Sequence, residues 1–126
     1  MSELTIVVGK SLEATEELVR AALKEQGFGV LTEIDVARVF QDRLGVQRTP
    51  LKILGACNPV MANEALTRLP EAALMLPCNV VLDGSSESET RVSIADPTVL
   101  MPEVVLADLV TDAKARLRAV LDAVAD

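Results

Sequence analysis

Two short segments carry the residue types best able to do chemistry: Gly55-Ala56-Cys57-Asn58-Pro59 and Leu76-Pro77-Cys78-Asn79-Val80. They hold the only two cysteines of the chain, each followed by asparagine and each at the edge of an apolar run. Once ionised, a thiol can act as a nucleophile or a metal ligand. An asparagine cap at Asn58 before a helix opening at Pro59 would set Cys57 just ahead of a helix N-terminus. The positive end of the helix dipole lowers a thiol pKa there, so Cys57 is expected to be the more reactive of the two. The competing reading makes both cysteines small buried hydrophobes, a common fate of free cysteine. Two cysteines without histidine are weak zinc ligands unless carboxylates or a second subunit complete the shell. No metal and no other cofactor is therefore expected.

What the chain lacks narrows the chemistry further. It has no histidine, tyrosine or tryptophan. No Ser-His-Asp triad, Cys-His pair or histidine-ligated zinc or haem can be built from it. Nineteen acidic residues against twelve basic ones give a formal charge of −7, which repels phosphate backbones and anionic lipid headgroups. The basic residues are dispersed, with Arg38, Arg43, Arg48 and Lys52 the nearest thing to a cluster, and Phe28 and Phe40 are the only aromatics. Neither nucleic acid nor membrane is an expected partner. No apolar run reaches the roughly 18 residues of a membrane span. Met1-Ser2-Glu3-Leu4-Thr5 places an acid where a secretory signal carries bases. The expected compartment is the cytoplasm, where a disulfide between the two cysteines is not expected.

The elements that must position these residues follow from periodicity. Leu4 to Val8 reads as a strand ending at Gly9. Ser11 caps a helix whose face carries Leu12, Thr15, Leu18, Val19, Ala22 and Leu23, stopped by Gly27. Phe28 to Thr32 is a second strand. Thr32-Glu33-Ile34-Asp35 resembles a capping box before a helix that ends at Gly45. Pro50 to Ala56 reads as a third strand, and a short helix follows from Asn58-Pro59 to about Leu69. A fourth strand lies within 73–82, a polar hairpin loop at Gly84 to Ser88, and a fifth strand at Thr90 to Ala95. After an irregular link, Leu106, Leu109, Val110, Ala113, Leu117, Val120, Leu121 and Val124 form one stripe on a long terminal helix. That helix is expected to be structural and not a site. The two Cys-Asn segments meet only if the third and fourth strands run antiparallel. A parallel crossover would leave them roughly 15–20 Å apart.

In order and spacing, Gly27-Phe28, Glu33-Ile34-Asp35, Leu44-Gly45, Ile53 to Pro59, Leu76 to Val80 and Asp96-Pro97 resemble one known pattern. It is that of the bacterial and archaeal family called domain of unknown function 302. The resemblance spans nearly the whole chain. It implies an α+β fold in two layers, an antiparallel sheet with helices packed on one face. The element order implied is that of the TATA-binding protein: strand, helix, four strands, helix, with short inserted helices. It also implies a homodimer. It brings no activity, and the likeness to a DNA-binding fold is architectural only.

The chain is thus read as one domain, 1–126, with a candidate ligand or thiol site at Cys57, Asn58, Cys78 and Asn79. Asn58 and Asn79 also have capping and backbone-bonding roles open to them. Glu33, Asp35 and Asp96 are weaker candidates. Capping suits Glu33 and Asp35, and turn initiation suits Asp96-Pro97. The function expected is small-molecule binding or sulfur handling at the paired Cys-Asn segments. The alternative is a noncatalytic homodimeric module with core cysteines. A catalytic site should ring its concavity with polar groups, whereas a module should show only apolar and capping residues there. Half the residues are apolar, which a 126-residue monomer has limited interior to hide, so self-association is expected.

Overall fold

Among the described residues, five strands form a single sheet: β1 (Thr5–Val8), β2 (Gly29–Asp35), β3 (Leu51–Cys57), β4 (Cys78–Asp83) and β5 (Thr90–Ile94). Their spatial order is β1-β5-β4-β3-β2, and every pairing is antiparallel. The computed structural model describes residues 4–126. Met1 to Glu3, on which the expectation of a cytoplasmic compartment partly rests, lie outside them. β1 and β2 occupy opposite edges, so α1 (Leu12–Glu25) must cross the sheet between them. The remaining helices are α2 (Val36–Leu44), α3 (Pro59–Arg68), α4 (Pro97–Leu100) and α5 (Ala107–Val124). This is the strand-helix-four strands-helix order with short helices inserted. No helix among the described residues is long and apolar enough to cross a membrane.

Local signals explain most boundaries. The Ser11 hydroxyl accepts from the Ala14 N–H at 3.2 Å, one of the orphan donors at the start of α1. At its other end Gly27 sits at φ 86°. The Phe28 N–H donates to Leu23 O at 2.9 Å and the Gly27 N–H to Lys24 O at 3.1 Å, a Schellman turn that only glycine closes without strain. The start of α2 differs from expectation. Thr32 to Asp35 belong to β2, and Asp35 is itself the cap, its carboxylate accepting from the Arg38 N–H at 3.0 Å. A ladder of pairs with β3 extends the strand, and that pairing outweighs a local capping box. The link after Asp96 is also more regular than expected, because Asp96 caps the four-residue α4.

Alternation along the strands sends Leu54 and Ala56, Val80 and Leu82, and Val92 and Ile94 to one buried face. There α1 contributes Val19 and Leu23, and α5 contributes Leu117, Val120, Leu121 and Val124. A second, smaller cluster gathers Ala65 of α3, Ala72, Met101, Leu106 and Val110. The single stripe of α5 therefore serves two cores, its last turns in the first and its opening turn in the second. A register irregularity between Val30 and Thr32 bulges β2. The bulge places Glu33 opposite Leu54, and hence on the same face as Lys52. The Lys52 ammonium bonds Glu33 at 2.7 Å and Glu16 of α1 at 2.9 Å, and Arg20 adds a bond to Glu16 at 2.8 Å. Burial acts to raise the Glu16 pKa, but the bonds from Lys52 and Arg20 outweigh it and hold the carboxyl below its ordinary range. The bonds from Glu33 and Glu16 raise Lys52.

Leu117 is fully buried, whereas Arg116 is half exposed and pairs with Asp112 at 3.2 Å. Leu117→Ala is expected to cost about 2–5 kcal/mol and Arg116→Ala under about 1 kcal/mol in urea melts. Because Glu16 is depressed in the folded chain, its contribution is complete above the ordinary carboxylate pKa and lost as pH falls through the folded value. The Lys52 contribution is lost only as pH rises through its raised value. Lys52→Met is expected to cost on the order of 1–3 kcal/mol at neutral pH. The same substitution should shrink the loss of stability between neutral and acid pH, which paired melts at the two pH values will read.

Candidate functional site

The register of β3 on β4 sets Ala56 opposite Cys78, with the two backbones about 4.8 Å apart. Cys57 is one residue beyond, where β3 turns into the start of α3. This is the antiparallel arrangement that the two Cys-Asn segments need in order to meet. Both cysteines are free, half-buried thiols. They border one apolar cavity with a volume of about 50 Å³. Ala56, Cys57 and Asn58 wrap one side of it as the chain bends. Leu76 and Cys78 close another, and Met61, Ala62 and Ala65 of α3 form a wall. Pro97 and Met101 approach from α4, and Leu109, Val110 and Ala113 from the first turns of α5.

Two glycines permit this closeness. A Cβ on Gly55 would overlap the Thr32 hydroxyl and sit 2.8 Å from Cγ of Pro77, so β3 can lie flush against the segment leading into Cys78 only with hydrogen at that position. A Cβ on Gly27 would meet Nδ2 of Asn58 at 3.1 Å. The glycine that ends α1 thus also makes room for the cap of α3. The Asn58 side chain is nine-tenths buried and accepts from the Met61 N–H at 3.2 Å.

The electrostatics of the cavity are those of an apolar box. Among the described residues, no side chain lining it other than the Asn58 amide is charged or strongly polar. Burial pushes both thiols above the ordinary cysteine pKa, and the neighbouring Cys57 raises Cys78 further. Cys57 does stand just before the N-terminus of α3, yet desolvation moves its pKa upward, against the lowering expected from the helix end. Met61 and Leu109 also border an open groove of about 600 Å³ between α3 and α5, whose charged residues are Glu64, Asp112 and Arg116.

The structure brings Cys57, Asn58 and Cys78 together and leaves the other candidates elsewhere. Asn79 is exposed on β4 opposite Gly55, outside the cavity. Glu33 belongs to the Lys52 ion network, and Asp35 caps α2. Asp96 is buried, accepts from the Thr98 N–H at 2.9 Å and from its hydroxyl at 2.6 Å, and pairs with Lys114 at 3.0 Å. Burial acts to raise its pKa, but these partners prevail and hold it low. It pins α4 to α5. The cavity is also bordered by Met61, Met101 and the first turns of α5, none of which the sequence singles out as site residues. Their distances along the chain from either cysteine carried no local signal. Among the described residues no group of three or more histidine, cysteine, aspartate or glutamate side chains is arranged to hold a metal.

The match to known proteins spans nearly the whole length. The family model "Domain of unknown function DUF302" covers residues 4–124. A crystal structure of an uncharacterized conserved DUF302 protein from Bacillus stearothermophilus is similar at a TM-score of 0.86. It shares 32% identity, with 94% of each chain covered. No curated protein matches. The protein belongs to the DUF302 family.

Proposed function

We propose that the protein is a noncatalytic binding module whose Cys57–Cys78 cavity takes up a small apolar or thiophilic ligand. One observation carries the reading. The two Cys-Asn segments meet at a cavity that the described residues line with hydrocarbon, thiols, thioethers and a capping asparagine, and none of these side chains is charged. A volume of about 50 Å³ holds a few heavy atoms, well short of the several hundred Å³ of sites for metabolite-sized substrates. A reducing compartment such as the cytoplasm suits free thiols. Xenon, which enters dry apolar cavities, is the probe. Xenon pressure should shift the amide resonances of Cys57, Cys78 and Met61 in the intact chain, and Ala113→Leu, which fills the space, should abolish the shifts without lowering the unfolding temperature. Shifts absent from these residues would overturn the reading.

The module acts as a two-fold homodimer. α2 is strongly amphipathic in sequence yet buries none of its residues. Val39 is 40% and Leu44 69% exposed, and on the edge strand β2 Leu31 and Ile34 are 66% and 48% exposed. Such an edge invites pairing, and a second copy covers the same patch on both partners. Sedimentation at micromolar concentration should give the dimer mass, and Val39→Glu with Leu44→Glu should give the monomer with the fold intact. A wild-type chain that sediments as a monomer would defeat this.

A further inference from the structure

The chain has two cysteines and four methionines, and both cysteines and two of the methionines, Met61 and Met101, line the one cavity. The four come from separate places in the fold: the end of β3, the first turn of α3, the start of β4 and the residue after α4. Ordinary core packing would fill the space between such side chains. Here about 50 Å³ stays free beside them. Cys57 is near enough to act electrostatically on Cys78. From this convergence of four sulfur-bearing residues on unfilled space we infer that the cavity is a site for a soft monovalent cation, copper(I). Cys57 and Cys78 serve as thiolate ligands, with the Met61 and Met101 thioethers supporting them.

The chemistry of the donor set excludes the commoner ions. Calcium and magnesium require oxygen ligands, and among the described residues no carboxylate lines the cavity. Zinc requires four ligands drawn from thiolate, imidazole and carboxylate, and only two of these are present. Thiolate and thioether are the ligands that select copper(I). Binding balances without a redox step. Two S–H bonds break, two protons leave to solvent, and the Cu(I) ion forms two Cu–S bonds, giving a complex of single negative charge. Cys57 is only half-buried, and Met61 also borders the open groove between α3 and α5, so the sulfur-bearing residues are reachable from solvent. An overall charge of −7 favours its approach.

This inference rests on the cavity being a ligand site, and the experiment separates the two. Under anaerobic, reducing conditions the full chain is titrated with Cu(I) against a colorimetric Cu(I) chelator. One ion per chain should be withdrawn from the chelator, with release of about two protons to an indicator. Cys57→Ser or Cys78→Ser should weaken binding on the order of 100-fold, and the Met61→Leu/Met101→Leu double variant about tenfold. The leucine variant should keep its unfolding temperature, since leucine and methionine are close in volume. A chelator that retains all the copper overturns the inference, as does wild-type affinity in either serine variant or in the leucine double variant. Xenon entry without copper uptake would overturn the metal assignment alone, and failure of both would remove the site altogether.

Discussion

Everything in this fold hangs on covering one face of the sheet. A five-stranded antiparallel sheet has two faces, and only one is closed by hydrophobic contact, chiefly with α1 and α5. At roughly 25 cal/mol per Å² of apolar surface removed from water, that face supplies the main driving force. It also fixes register, because a slip of one residue would turn Leu54, Val80, Leu82, Val92 and Ile94 outward together. The pairing of Ala56 with Cys78 follows from that demand and not from any attraction between the two cysteines. The meeting of the Cys-Asn segments is a by-product of packing several residues away.

The ends of the covered face show how polar groups are accommodated. Lys52 occupies a position whose alternation matches Leu54 and Ala56, and its ammonium is served by Glu16 and Glu33 from two other elements. The bulge in β2 is what brings Glu33 to that side. Asp96 is similarly fixed between Thr98 and Lys114. Each carboxylate is occupied in holding one element to another. The sulfur cavity, by contrast, is bordered by α3, α4 and the opening of α5, where the second cluster is small and its packing leaves space. An apolar cavity raises thiol pKa values because the charged form loses its hydration. The same loss of water favours soft ligands that bind sulfur over hard ones that prefer to stay solvated.

The sequence alone determined the elements and the class of fold. Ser11, Asn58-Pro59, Gly27 and Gly45 mark helix ends through local hydrogen bonds and backbone geometry, and such signals act within a few residues. The α5 stripe was legible for the same reason. The motif order pointed to the DUF302 family, which the family model and the Bacillus structure bear out. Where local and long-range preferences conflicted, reading from sequence failed. Thr32 to Asp35 look like a capping box, but pairing with β3 makes them strand.

Tertiary structure decided the composition of the site. Cys57, Asn58 and Cys78 were visible from their motifs, yet nothing local could say that Asn79 would alternate away to the exposed side or that Met61, Met101 and Ala113 would join them. Alternation is a property of strand register, and register is set by hydrophobic burial across the whole sheet. The thiol pKa values were decided in the same way. A helix N-terminus can be read from Asn58-Pro59, but the burial that opposes it depends on residues distant along the chain. Caps and turns are short-range and are written in the sequence. Enclosure is a sum over residues distant along the chain, and only the folded arrangement fixes it.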